Sequence, residues 1–74
     1  MNNGRRKKIK KAIEYMQQAK DIVDEVQEEE EEVYDNMPEG IQDSVKGEKI
    51  QENIDVLEEA SSQLEDVCSS LEEL

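Results

Sequence analysis

The sequence predicts an all-α protein: an antiparallel two-helix hairpin with coiled-coil-like packing, two copies of which pair into a four-helix bundle. Three observations carry that expectation. No Gly or Pro interrupts Arg5 to Asn36, and only Gly47 interrupts Ser44 to Leu74, so two long helical segments flank one break. Apolar residues in both segments recur in alternating steps of four and three, the period of a left-handed supercoil. The charges are divided so that the two segments complement each other only when antiparallel.

Taken in order, helix 1 is expected over about 5–36, a turn over about 37–43 and helix 2 over about 44–72, all in one hairpin domain spanning 1–74. In helix 1 the stripe runs through Ala12, Met16, Ala19, Val23, Val26, Glu30, Val33 and Met37, broadened by Ile9, Ile13, Tyr15, Ile22 and Tyr34. Asn3 is its expected N-cap. Asn36-Met37-Pro38-Glu39-Gly40 then breaks the helix, because Pro removes a backbone donor and clashes with the preceding turn. Pro38 to Gln42 is expected to form a helical turn of its own, with Ile41 and Val45 sealing the tip. Helix 2, capped by Ser44 or Asp43, carries the stripe Gly47, Ile50, Ile54, Leu57, Ser61, Leu64, Cys68 and Leu71. Met16, Val23, Val26, Ile50, Ile54, Leu57, Leu64 and Leu71 are thus the candidate packing and oligomer seam. Small residues in it (Ala12, Ala19, Gly47, Ser61, Cys68) let helices approach closely.

The formal net charge of −12 resolves into two parts. Residues 1–20 hold seven cations and one anion; residues 21–74 hold 20 carboxylates against Lys46 and Lys49. Cations at the start of helix 1 and Glu65, Asp66, Glu72 and Glu73 at the end of helix 2 each oppose their own helix dipole. In an antiparallel hairpin these ends meet, so the sequence predicts that they neutralise each other. Ile, Val, Leu and Phe make up 16 of 74 residues, a supply that leaves a lone two-helix interface thin. A homodimer or higher oligomer is therefore expected.

The same composition excludes most chemistry. There is no His, and carboxylates lie outside the seam except at Glu30, so neither a catalytic residue, a metal site nor a cofactor site is expected. Cys68 sits among seam leucines, reads as a buried thiol, and has no base beside it. No apolar run exceeds two residues, which with the single cysteine predicts a soluble, cytoplasmic protein with no membrane partner.

Two charged clusters remain as candidate binding surfaces. Glu28, Glu29, Glu31, Glu32 and Asp35 resemble a row of phosphates in charge, the means by which a protein occupies the nucleic-acid groove of another. The bland reading is a solvated helix face of good helix formers. Arg5, Arg6, Lys7 and Lys8 form a candidate anion site for a small phosphorylated ligand. No aromatic residue interleaves them and the remaining chain repels polyanions, which argues against long nucleic acid.

The stretch Tyr34-Asp35-Asn36-Met37-Pro38-Glu39-Gly40-Ile41-Gln42-Asp43-Ser44, followed by Gly47-Glu48 and Ile54-Asp55-Val56-Leu57-Glu58-Glu59-Ala60, resembles small acidic proteins of phages and prophages of Gram-positive bacteria. The opening Arg5-Arg6-Lys7-Lys8-Ile9 is similar to their start. The family is uncharacterised, so the resemblance implies a viral origin, hence the host cytoplasm, and no mechanism. The sequence as a whole leads to a non-enzymatic protein that self-associates and binds a host or phage protein, inhibiting a nucleic-acid-handling or defence enzyme by charge mimicry. The alternatives are a structural or assembly protein of the virus, and a nucleotide-sequestering oligomer using the basic cluster.

Overall fold

In the computed structural model, which describes every residue from Met1 to Leu74, helix α1 runs Asn3–Asp35, a one-turn helix α2 spans Glu39–Gln42, and α3 runs Val45–Glu72. The two long helices pack antiparallel in a single layer measuring 58 × 15 × 12 Å, little thicker than one helix with its side chains.

Local chemistry sets each end. The Asn2 side chain accepts a hydrogen bond from the Arg5 N–H at 2.8 Å, and its carbonyl accepts from the Arg6 N–H at 3.1 Å. The cap is therefore Asn2; Asn3, expected in that role, already lies within the helix. At α3 the cap is Ser44, whose Oγ accepts from the Gly47 N–H at 3.4 Å. Between them, Pro38 caps α2, and its carbonyl receives the N–H groups of Ile41 and Gln42.

The tip closes through backbone. The Gln42 side-chain amide donates to the Tyr34 carbonyl at 2.9 Å, satisfying one of the acceptors freed at the end of α1. Gly47 is buried against the Gln42 backbone so tightly that a Cβ there would lie 2.1 Å from the Gln42 carbonyl oxygen. Ile41 and Val45, expected to seal this end, instead stand in solvent. Val45, two residues before inward-facing Gly47, lies about 200° round α3 from it and so points away from α1.

Along α3 the inward positions are Gly47, Ile50, Ile54, Leu57, Ser61, Leu64, Cys68 and Leu71, the stripe read from its sequence. The most buried row, Gly47, Ile54, Ser61 and Cys68, has one large side chain in four. In α1 the inward positions are Ile9, Ile13, Met16, Lys20, Val23, Gln27, Glu30 and Tyr34, continued past the helix end by Met37. Three of the eight expected stripe positions are thus displaced by one residue, while Ala12 stays half-buried. Met16, Val23, Glu30 and Met37 face α3, but Ala19, Val26 and Val33 lie on the flank, all three exposed. Lys20 and Gln27 take the places expected for Ala19 and Val26. The Lys20 stem covers the seam while its ammonium reaches the edge.

Gly47→Ala is expected to lower the thermal midpoint of helix melting by the equivalent of about 1–3 kcal/mol, because the backbone contact outweighs alanine's better helix propensity. Gly40→Ala, where no atom lies within 4 Å of the added Cβ, is the control and should leave the midpoint unchanged or raise it. Circular dichroism melts of both variants decide the matter.

Candidate functional site

Two hydrogen bonds tie α1 to α3 mid-length. Ser61 Oγ, in the buried row, donates to Asp24 Oδ1. The Asn53 amide donates to Glu30 Oε2 at 3.5 Å, which gives the seam glutamate a partner. These contacts emerge on opposite sides of the hairpin and divide it into two unlike flanks.

The first flank is acidic. Asp21, Asp24, Glu28, Glu31 and Asp35 recur at steps of three and four along the same edge of α1. Antiparallel packing brings Glu48, Asp55 and Glu58 of α3 to that edge; Tyr34, Glu48, Gln51 and Asp55 line one shallow cleft between the helices. Of the five residues expected to form an acidic face, Glu28, Glu31 and Asp35 therefore lie together, while Glu29 and Glu32 point to the other flank and the back of α1. The run of five glutamates wraps the helix because consecutive residues are about 100° apart. Glu48, Asp55 and Glu58 escaped the sequence reading, since only the register between helices joins them to the run. That register follows from pairing the two inward stripes about the tip.

At the centre of this flank Lys20 Nζ lies 3.0 Å from Asp24 Oδ2. The Ser61 hydroxyl, and then the Lys20 ammonium, hold the Asp24 carboxyl below its ordinary value of 3.8. Donating that hydrogen bond to Asp24 raises Lys20 above 10.5, against the desolvation that acts to lower it.

The second surface is the basic head. Arg5, Arg6, Lys7 and Lys8 are exposed, and the two ion pairs in the chain, Lys20–Asp24 and Lys49–Glu52, lie elsewhere. The expected neutralisation of the basic start by Glu65, Asp66, Glu72 and Glu73 does not take the form of contact: the ends are adjacent, but no carboxylate comes within 4.0 Å of these cations. The apolar residues explain the gap. Ile9, Ile13, Leu71 and Leu74 line the space between the two ends, a half-open cleft of about 490 Å³ with Arg6, Lys7, Lys10 and Glu72 at its rim. Lys11 turns instead over the Tyr15 ring, 5.9 Å from its centre.

Cys68 is a free, buried thiol, and no three His, Cys, Asp or Glu side chains are grouped so as to hold a metal ion. No helix is long and apolar enough to cross a membrane.

Because Asp24 ionises more readily when folded, its contribution to stability is present above pH 3.8 and is lost as pH falls through its lower folded value. Asp24→Asn is accordingly expected to melt below the parent protein at pH 7, with the difference narrowing as acid protonates Asp24. Paired melts across that range measure it; a difference unchanged from pH 7 to the foot of the acid range would contradict the assignment.

Comparison with protein-family models, curated proteins and solved structures finds no match to this chain.

Proposed function

We propose that the hairpin is a non-enzymatic binding protein whose acidic flank docks into a cationic groove of a protein partner, in the place of a nucleic-acid strand. The supporting observation is the charge row itself. Asp21 to Asp35 cover about 21 Å of helix axis, and with the facing α3 carboxylates they present seven negative charges besides Asp24, which Lys20 neutralises. That is one charge per about 3 Å, near the 3.4 Å per charge of a single nucleic-acid strand along the duplex axis. The partner chemistry this favours is an enzyme that handles nucleic acid, including one of host defence. The phage-like resemblance agrees with such an inhibitor.

The test is capture of the partner from a host lysate by the parent protein and by a variant carrying Glu28→Gln, Glu31→Gln, Asp35→Asn and Asp55→Asn. The parent should retain a protein that a single-stranded oligonucleotide displaces. Retention should weaken at least about tenfold between 50 and 200 mM salt. The variant should be as helical or more so, since repulsion between like charges four apart is relieved, and should bind nothing by this route. Capture undiminished by the four substitutions would sink the proposal.

The apolar cleft with its basic rim favours a second reading, a small phosphorylated ligand held at Arg6, Lys7 and Lys10. Titration calorimetry with linear and cyclic nucleotides should then release heat that Lys7→Gln and Lys10→Gln remove. No heat with any nucleotide would eliminate it.

A further inference from the structure

We infer that the flank opposite the acidic one is covered by a second copy of this chain, packed head to tip about a two-fold axis perpendicular to the hairpin. The interface is a second apolar stripe beside each seam. In α1, Tyr15, Ile22, Val26 and Val33 follow one another at helical spacing and stand in solvent, Tyr15 60% and Ile22 62% exposed. Antiparallel packing sets Val56 and Val67 of α3 on the same side, and Val26 and Val56 line one groove there. Five carboxylates of α1 (Asp21, Asp24, Glu28, Glu31 and Asp35) lie along the other flank, with Glu29 and the seam's Glu30 on this side, so this concentration is a pattern in the sequence and not scatter.

Two magnitudes point to a copy of this chain as the occupant. The protein exposes 5749 Å², against about 4,650 Å² for a compact monomer of its mass. The excess, about 1,100 Å², exceeds the roughly 800 Å² that each partner contributes to a standard interface. No side chain is less than 2% exposed, so the hairpin alone has no complete interior, whereas a four-helix bundle would give it one. A two-fold axis lets the same stripe serve both copies.

Charge fixes the direction. The tip half, residues 28–55, carries eleven carboxylates, five of them (Glu28, Glu31, Asp35, Glu48 and Asp55) on the acidic flank, against Lys46 and Lys49, whereas the head carries the unpaired cations Arg5 to Lys11. Tip beside tip would bring two such acidic ends together. Head beside tip instead lays Arg5 and Lys8, which extend the apolar stripe toward the N-terminus, along the partner's acidic end. This deepens the self-association expected from the sequence and rests on none of the charge mimicry of the proposed function.

Sedimentation equilibrium at micromolar concentration should give twice the chain mass of 8.5 kDa, with a melting midpoint that rises with concentration. Ile22→Glu and Val56→Glu, at positions the hairpin leaves exposed, should each weaken association by about 100-fold or more. In a Cys68→Ser background, chains bearing Lys8→Cys should crosslink to chains bearing Asn36→Cys and not to one another. A parent protein of single-chain mass with a concentration-independent midpoint would overturn the inference. So would a dimer indifferent to both glutamate substitutions, or one crosslinked from Lys8→Cys to Lys8→Cys. The four-fold amide variant of the acidic flank should remain dimeric, which keeps this result separate from that of the charge-mimicry test.

Discussion

The hydrogen bond from Ser61 to Asp24 joins the centres of the two long helices, and the arrangement of both flanks depends on the register it marks. Ser61 is small enough to lie in the buried row of α3, and polar enough to need an acceptor there. Asp24 supplies it from the edge of α1, and Lys20 from the seam balances the charge. With those residues level, Glu30 meets Asn53, and the tip ends where Gly47 meets Gln42. A shift of one helical turn would part Ser61 from Asp24 and Asn53 from Glu30. Apolar pairs tolerate such sliding because dispersion is not directional; a polar layer does not.

The helix–break–helix arrangement was legible from its punctuation, and α3 was legible residue by residue. Its seam holds only apolar or small side chains, so burial and composition agree. In α1 they part company. The three-four repeat admits two phases that share Met16, Val23, Glu30 and Met37, and the more apolar one, through Ala19 and Val26, is not the one facing α3. Lys20 and Gln27 occupy the seam because their methylene stems cover it while their polar ends reach the edge, which a hydropathy pattern counts as exposure. The same displacement explains why the acidic site was legible only in part: which glutamates share a side depends on the phase of the helix.

That phase also accounts for the two characters of the molecule. Rotating α1 to bury Val26 and Val33 would have made a more apolar seam and left fewer apolar side chains outside it. The observed phase leaves apolar side chains on one flank and collects carboxylates on the other. Like charges on the acidic flank repel, and the cost is borne by helix formers that tolerate it. Along that row only Asp24 is paired with a cation, Lys20.

The closed tip also dictates the order in which the chain assembles. Tyr34 and Gln42, joined at the tip, are eight residues apart, whereas Asp24 and Ser61 are separated by 37. Loop-closure entropy grows with that separation, so the first contacts to form are those nearest Pro38, and each pair formed shortens the loop that the next must close. Such zipping is the kinetic hallmark of local topology, and it places this hairpin among the fast, microsecond-to-millisecond folders. The last residues to dock are then Arg5 to Lys11 and the end of α3, around the unfilled cleft.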